Sequence, residues 1–407
     1  MKAKRLSKVQ RSSRAQRVDR ITTLPQTIIE IILCLLPIEE AARTSILSRE
    51  WRFKWTTIPK LVFLEDTVKM STEKWHLSNR KKISELERER REKEMRCKLF
   101  YAIHQVLLQR QATIQEFTIS IYPDETCFEI DQILLHLSRN HTLKRLTLDF
   151  LGCNSYRLPL CVFSLHHLTD LHLEHCYVDP KPIFNGLGSL VRLTLNETWI
   201  SKKPLLHLLS GCPSLKSLCL TQVKLENQIH ENRNPSIMKL FKCLTHIEHL
   251  TTWGYITRIV QDWMPELPPS LIHLKYFCIE ELCFGPSNGF AFLGVLLKCS
   301  PNLEKITLEI ETDDGYNEIE SDNREEKFSL ILEKYSDVWL EHLSELEILY
   351  YRNVKLELDL LKFILARSPN LKKVKFRTWM FGSREDLKML RTLLRPPRAR
   401  LIEFIFV

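Results

Sequence analysis

The sequence predicts an α/β fold in which a short three-helix segment precedes a long, curved solenoid of repeated helix–strand units. Apolar residues at helical spacing occupy residues 20–60, and a leucine pattern then recurs along most of the remaining chain. Only 10 of the 407 residues are glycine, which disfavours folds that hold a cofactor on a glycine-rich loop. We therefore expect a large core assembled from many similar units.

The N-terminal segment shows the signals of three short helices. Pro25 suits a first helical turn, and apolar residues recur at helical spacing from Ile28 until Pro37 stops the first helix. Residues 39–44 suit a second helix. A third helix carries one apolar stripe at four-residue spacing: Leu47, Trp51 and Trp55. So short a segment cannot bury all of this surface, and part of it is expected to dock on another protein or on the rest of the chain.

A spacer over residues 61–112 connects this segment to the repeats. Lys60–Leu64 predicts a first edge strand at its start. Residues 79–98 mix nine basic with five acidic side chains, which is typical of an exposed helix. The apolar positions that follow, from Leu99 to Leu108, predict a face that caps the next domain.

Leucine repeats dominate the chain after residue 113. The pattern L-x-x-L-x-L or a close variant begins at eight positions: Leu143, Leu168, Leu190, Leu215, Leu271, Leu303, Leu346 and Leu371. Irregular copies begin at Ile114, Leu244 and Leu401. Most neighbouring starts are 22 to 32 residues apart, close to the leucine-rich-repeat period of about 20–29 residues. This period predicts a leucine-rich-repeat solenoid, or horseshoe, with its strands on the concave face.

One interval between repeats is longer, at 43 residues. Within it, residues 311–327 contain eight acids and two bases and show no apolar periodicity. This composition predicts an acidic loop that is extruded from the solenoid.

The net charge of +9 is concentrated at the N-terminus. Residues 1–20 contain eight basic side chains and one acid without an apolar stretch, so residues 1–19 are expected to form a basic disordered leader rather than a secretory signal. A nuclear-import or nucleic-acid-binding tail is the alternative. No apolar run reaches the ~18 residues of a membrane span, and the 12 cysteines lack a C-x-x-C pair. These features predict a protein of the nucleus and/or cytoplasm, with no membrane partner and with nucleic acid disfavoured as a partner.

The sequence shows no catalytic or cofactor signature. The common phosphate-loop, dinucleotide, hydrolase and zinc-protease motifs do not occur, so we predict no catalytic residues, no cofactor and no enzyme activity. The densest set of metal-ligand side chains is His166, His167, His172, His175 and Cys176. When these residues are counted from the first leucine of their repeat, His172 lies on the concave side, whereas His175 and Cys176 enter the turn after the strand. The side chains therefore diverge, and no metal site is predicted. Cys176 instead suits the buried position after a repeat strand.

Solvent-facing strand positions are the expected recognition surface. Counted from the first leucine of each repeat, positions five and seven face the concave side, and in one repeat these are Lys275 and Phe277. The late repeats place there four cationic or aromatic side chains, which are the predicted substrate-binding residues: Tyr350, Arg352, Lys375 and Arg377. Such a patch favours an acidic or phosphorylated partner. An ordinary solvated strand face, or a patch that receives the chain's own acidic loop, would have the same composition.

Two stretches resemble known families. Leu-Pro at residues 24–25, Leu-Pro-Ile at 36–38 and the run A-A-R-T-S-I-L-S-R-E-W-R-F-K-W over 41–55 resemble the plant F-box. Gln26 departs from this resemblance, because the family more often carries an acid there. Residues 335–407 resemble the FBD domain, which follows leucine-rich repeats in many plant F-box proteins.

The resemblance and the repeats together imply five regions. They are a leader at 1–19, an F-box at 20–60, a helical spacer and repeat cap at 61–112, leucine-rich repeats at 113–334 with the acidic insertion 311–327, and FBD-like terminal repeats at 335–407.

The F-box resemblance also implies a partner, the Skp adaptor of a cullin-RING ubiquitin ligase. The residues expected at that contact match the motif position by position: Leu24, Pro25, Ile28, Ile32, Leu36, Pro37, Leu47 and Trp51. The chain would then be the substrate-receptor subunit of an SCF-type ligase, with an unknown protein substrate on its repeats. The alternatives are a repeat receptor for a small ligand and a nucleic-acid-binding protein that acts through the basic leader.

Overall fold

The structure is a computed structural model that describes residues 21, 23–65, 85–122, 127–139, 142–151, 156–179, 186–226, 237–254, 270–282, 289–310, 321–351, 355–377 and 402–406. The predicted basic leader, residues 1–19, lies outside these ranges. All elements given below belong to this described part of the chain.

Two short helices open the fold, α1 at Gln26–Cys34 and α2 at Ile38–Arg43. Pro25 and Pro37 are their N-caps, where a proline loses no helical hydrogen bond. Each proline therefore marks the start of a helix, and Pro37 also separates α1 from α2.

The predicted third helix is wrong in form. The chain instead makes two single turns of 3-10 helix, Thr44–Ile46 and Lys54–Thr57, joined by ordinary turns. An α-helix would place Leu47, Trp51 and Trp55 on one face. The turns allow both indoles to reach the core while Leu47 stays exposed.

Twelve parallel strands form one sheet in the described chain, and their spatial order follows the chain order. They are β1 Lys60–Leu64, β2 Glu116–Ile121, β3 Arg145–Phe150, β4 Asp170–Glu174, β6 Arg192–Asn196, β8 Ser217–Thr221, β10 His249–Trp253, β11 Tyr276–Leu282, β12 Lys305–Ile310, β13 Glu345–Leu349, β14 Lys373–Arg377 and β15 Glu403–Phe406. A second sheet has three short parallel strands, β5 Tyr177–Val178, β7 Trp199–Ser201 and β9 Lys224–Glu226. The predicted edge strand β1 and the strands of the three irregular repeats, β2, β10 and β15, are confirmed.

Helices lie between successive strands along the chain. They are α3 Glu85–Gln109, α4 Phe128–Arg139, α5 Lys202–Ser210, α6 Ile237–Cys243, α7 Gly289–Cys299, α8 Ser321–Lys334 and α9 Lys355–Arg367, with a 3-10 turn at Leu160–Ser164. Ser368 shows how such a helix ends, because its hydroxyl donates to the Ile364 carbonyl at 2.7 Å and Pro369 follows. Parallel strands joined through helices form the α/β solenoid that the leucine period predicts.

Helix α8 differs from the predicted acidic loop. Residues 321–327 of that segment belong to the helix, whereas residues 311–320 lie outside the described ranges. The helix forms because Phe328, Ile331, Leu332 and Tyr335 recur at helical spacing, and all four contact the core. The predicted insertion is therefore shorter than its composition indicated.

The core lies beneath the large sheet and extends along the whole solenoid. Positions one, four and six of each repeat point into it, as Leu168, Leu171 and Leu173 do, and each of these is fully buried. The same cluster continues from Ile29 in α1 to Phe376 in β14. Positions three, five and seven of each repeat, counted from its first leucine, point to the opposite side of the sheet. We call this surface the open face. Within the described residues no helix is both long and apolar enough to cross a membrane.

Candidate functional site

The N-terminal segment presents a large apolar surface that no other described part of the chain covers. Its residues range from 39% to 85% exposed, and we call them the docking face: Ile28, Ile31, Ile32, Leu35, Leu36, Ile46, Leu47 and Phe53. On the opposite side of the same helices, Ile29, Leu33 and Ile38 are buried in the chain's own core. The sequence therefore supplies two apolar sides, and only one of them has a partner among the described residues.

Gln26, which departs from the usual F-box pattern, links α1 to the second 3-10 turn. Its amide nitrogen donates to Glu30 Oε1 at 3.0 Å and to Thr57 Oγ1 at 3.2 Å. Its amide oxygen accepts from Lys54 Nζ at 3.3 Å. An amide can donate and accept at once, which an acid at this position cannot do when it is ionised. Gln26 thus helps to fix the geometry of the docking face without belonging to it.

The structure separates the predicted adaptor contacts into two groups. Six of them are exposed: Pro25, Ile28, Ile32, Leu36, Pro37 and Leu47. Leu24 is half-buried against the core, and Trp51 is only 5% exposed. Adaptor contact at all eight residues stays a prediction, but Trp51 is in position to support the docking face from beneath. Sequence reasoning missed Leu35 and Ile31, which are among the most exposed apolar side chains of this segment.

Strand pairing fixes the repeat frame and shows that three predicted frames are wrong. Leu250 pairs with Leu218 on one side and with Phe277 on the other, so Leu250 and Phe277 both occupy the core position of a repeat leucine. In the same way Leu346 pairs with Val374. The repeats predicted from Leu244 and Leu271 therefore begin three residues later, and the repeat predicted from Leu346 begins three residues earlier.

The corrected frame changes which side chains reach the open face. Phe277 is fully buried, and Lys275 precedes strand β11, so neither occupies the predicted recognition position. Cys278 and Glu280 take positions five and seven of that repeat. In strand β13 position five is Glu347, which pairs with Lys375 of strand β14.

Ion pairs neutralise much of the late open face, where the substrate-binding patch was predicted. Lys375 Nζ lies 2.6 Å from Glu345 Oε1, and Arg377 Nη2 lies 3.5 Å from Glu347 Oε1. Hydrogen bonds from Lys375 and Lys305 hold the pKa of Glu345 below its usual range. The late face is therefore a ladder of alternating charges rather than a purely cationic surface.

Tyr350 and Arg352 are the remaining members of the predicted patch. Tyr350 occupies the turn after β13 with a φ of 58° and is exposed. Arg352 lies outside the described residues. Substrate contact by Tyr350, Arg352, Lys375 and Arg377 stays a prediction.

The first strands of the open face carry an alternating column of charge at position three. Its members are Glu116, Arg145, Asp170 and Arg192, on the neighbouring strands β2, β3, β4 and β6. Arg145 forms an ion pair with Glu116, and Arg192 forms one with Asp170. All of these pairs are at least partly exposed, so each contributes little on its own.

The centre of the open face contains carboxylates with few counter-charges. Burial, together with the charges of Glu309 and Glu281, raises the pKa of Glu280 to about 7. Burial, followed by the charge of Glu281, also raises the pKa of Glu309. Trp253 flanks the pair, since it lies opposite Glu280 in the β10–β11 register and its indole N–H donates to Glu281 Oε2. Glu280 and Glu309 therefore bind protons more readily than an ordinary glutamate does.

The five histidine and cysteine side chains that are dense in the sequence, from His166 to Cys176, lie in different surroundings in the structure. His166 and His167 are exposed, and Cys176 is buried in the core, where burial raises its pKa to about 12. Burial of Cys176 was predicted and is confirmed. His175, however, turns back toward the sheet and lies beside Asp149, Glu174 and Glu197. Sequence reasoning did not find this group, because its members come from the ends of two different strands, β3 and β4, which lie one repeat apart in the chain.

Comparison with known proteins identifies the family. The repeat region at residues 130–253 matches a family model described as FBD-associated F-box protein At5g56370, LRR repeats. The F-box/FBD/LRR-repeat protein At1g13570 of Arabidopsis thaliana is 30% identical over 94% of this chain and 96% of its own length. The chain belongs to the plant F-box/FBD/LRR-repeat proteins.

A second relative agrees with this F-box/FBD/LRR assignment. The F-box/FBD/LRR-repeat protein At3g26920 of Arabidopsis thaliana is 26% identical over 50% of this chain and 42% of its own length. Among solved structures, the leucine-rich repeat-containing protein LegL7 of Legionella pneumophila covers 77% of this chain and 87% of its own, at 12% identity and a TM-score of 0.35. The family names indicate an F-box substrate-receptor family of the adaptor type.

Proposed function

We propose that this F-box/FBD/LRR protein is the substrate-receptor subunit of an SCF-type cullin-RING ubiquitin ligase. The F-box binds the Skp adaptor through the docking face, and the open face of the repeats binds a target protein. The receptor contributes proximity and carries out no covalent step. Tethering a substrate near the ubiquitin-carrying enzyme raises the effective concentration of the substrate to the ~mM range. The observation that carries this proposal is the uncovered apolar docking face.

The docking face has the properties of an interface rather than of an ordinary surface. Burying one Leu or Ile side chain contributes roughly 1.5–3 kcal/mol, and this surface offers eight large apolar side chains in one short segment. Association and side-chain ordering oppose this gain by an estimated ~4–15 kcal/mol. A stable complex is feasible only if most of the docking face is covered at once, which favours a folded partner with a complementary apolar groove.

A charge placed on the docking face tests the proposal. Leu35 directly follows α1 and is 81% exposed, so Leu35→Asp should leave the fold intact yet place a carboxylate inside the adaptor interface. We expect at least a 100-fold loss of affinity for a purified plant Skp-type adaptor, measured by biolayer interferometry. Leu330→Asp is the matched control, because Leu330 is 59% exposed on α8, which lies between β12 and β13 at the far end of the sheet from β1.

Unchanged adaptor binding by Leu35→Asp would contradict the proposal, as would an equal loss in both variants. Leu35 is a better position for this test than Leu24, whose half-buried side chain also contributes to the core. A circular dichroism spectrum of each variant verifies that the fold is retained.

We further propose that the complex works in the nucleus and/or cytoplasm. The basic residues of positions 1–20 support nuclear import, since short Lys/Arg-rich segments are typical import signals. A fluorescent fusion with and without residues 1–19 tests this, and an identical distribution of the two fusions would contradict a role of the leader in import.

A further inference from the structure

Three metal-ligand side chains meet where strands β3 and β4 end on the open face. Asp149 Oδ1 lies 3.1 Å from His175 Nδ1, and Glu174 Oε1 lies 3.9 Å from the same nitrogen. One ligand atom from each of these residues lies within 4.8 Å of the others. All three side chains are partly buried, at the edge of the solvent. We propose that Asp149, Glu174 and His175 bind a divalent transition-metal ion, with Zn²⁺ as its representative.

The distances between the ligand atoms suit a tetrahedral ion. Zinc bonds to nitrogen and oxygen are about 2.0–2.2 Å long, so two ligand atoms of a tetrahedral site lie roughly 3.4 Å apart. The observed separations of 3.1 and 3.9 Å lie on either side of this value. Small rotations of the side chains, without movement of the strands, would complete the geometry.

Polar neighbours already orient each of the three ligands. His175 Nε2 lies 3.2 Å from Glu197 Oε2, an arrangement that holds the N–H on that nitrogen and leaves Nδ1 free to bind an ion. Asn196 Nδ2 donates to Glu174 Oε1 at 2.6 Å, and Ser120 Oγ donates to Asp149 Oδ2 at 2.7 Å. Metal-binding histidines and carboxylates typically have such outer partners, which fix their orientation.

The charge and chemistry of the group also favour a transition metal. Three carboxylates, those of Asp149, Glu174 and Glu197, surround one imidazole, and within the described chain no Lys or Arg forms an ion pair with them. Ca²⁺ and Mg²⁺ prefer ligand sets made only of oxygen, whereas an imidazole nitrogen suits Zn²⁺ and its neighbours. Without an ion, contacts of His175 with Asp149 and Glu197 would hold these side chains together. The experiment must therefore show that an ion binds to the group.

Isothermal titration of the full-length chain with Zn²⁺, after removal of metals with a chelator, tests the proposal. We expect one equivalent of Zn²⁺ to bind, and His175→Asn to weaken it at least 10-fold. Asparagine tolerates the positive φ of 55° at this position, so the variant should fold. His166→Asn is the matched control, because His166 is exposed and outside the group. Glu197→Gln should weaken binding by about 10- to 100-fold as an outer partner does.

Cobalt replaces zinc in a second measurement that identifies the ligand atoms. The Co²⁺ complex should show visible bands of a nitrogen–oxygen site and no thiolate charge-transfer band. A thiolate band would place the ion on a cysteine such as the exposed Cys97 and overturn the proposal. So would absence of Zn²⁺ binding, or equal affinity of wild type and His175→Asn. Because no adaptor is present, these outcomes are independent of the proposed ligase function.

Discussion

Replacing Trp51 with alanine is expected to open the F-box segment while the repeats stay folded. Trp51 is 5% exposed, belongs to the continuous core, and its ring lies 5.8 Å from Lys54 Nζ. A tryptophan buries about 150–250 Å². At roughly 25 cal/mol per Å² this corresponds to ~4–6 kcal/mol, and Trp→Ala changes in cores typically cost ~3–5 kcal/mol. A loss of about 4 kcal/mol is a large share of the ~5–15 kcal/mol that stabilises a whole domain.

Hydrogen exchange measured by mass spectrometry shows where this loss occurs. Amides of α1 and of the Lys54–Thr57 turn should exchange faster in Trp51→Ala, whereas those of β3 to β8 should keep their protection, since repeats contact mainly their neighbours. Phe53→Ala is the control: Phe53 is 56% exposed, so its loss should change stability by less than about 0.5 kcal/mol. Unchanged protection of α1 in Trp51→Ala would refute the idea that this indole supports the docking face.

Three further changes test other parts of the molecule. Gly294→Ala would place a methyl group 2.3 Å from the Tyr335 ring. The cost of overpacking, ~1–3 kcal/mol, should exceed the gain in helix propensity of ~1 kcal/mol, so the variant should be less stable. A midpoint of urea unfolding that does not fall would contradict the packing of α7 against this ring. The pKa of Glu280 is raised in the folded state, so its contribution to stability is complete below about pH 4.5 and is lost as the pH rises through about 7. The melting temperature of Glu280→Gln should therefore fall less than that of wild type between pH 5 and 8, and parallel curves would refute this. Lys375→Gln with Arg377→Gln should weaken capture of substrates in proximity labelling without affecting adaptor binding; unaltered capture would move the recognition site to earlier strands.

The leucine period was sufficient to predict the architecture. Leucines at positions one, four and six can be buried only if every unit stacks on the next, and the strands found at 116–121, 249–253 and 403–406 follow even its irregular copies. The three-strand second sheet could not be predicted in this way. Its strands are two or three residues long, too short to show a period of two.

The register of three repeats could not be read from the sequence alone. Apolar residues at 244 and 247, at 271 and 274, and at 343 and 346 satisfy the same spacing in two frames. Only the hydrogen-bonded neighbour selects one frame, as Leu250 does for Phe277. A shift of three residues exchanges core and open faces, which is why the predicted recognition positions changed there.

The candidate sites show the same division between local and long-range information. The docking face follows from a local excess of apolar residues, so its existence could be predicted from about 35 residues, although the burial of Trp51 depends on the turns around it. The group around His175 depends on Asp149, which is 26 residues away and comes close only through strand pairing. No local motif encodes such a contact.

The alternating charges of the position-three column have a consequence for how the repeats find their correct neighbours. Successive repeats have nearly interchangeable leucine faces. A folding chain could therefore skip one repeat, pair a strand with the repeat after it and still bury a similar core. Skipping β4 would place Arg145 beside Arg192, and skipping β3 would place Glu116 beside Asp170. Like charges directly opposite destabilise a strand pair by roughly 0.2–1 kcal/mol, whereas the native order places opposite charges together. Weak surface ion pairs that add little to native stability thus penalise the misordered solenoids that leucine alone would permit.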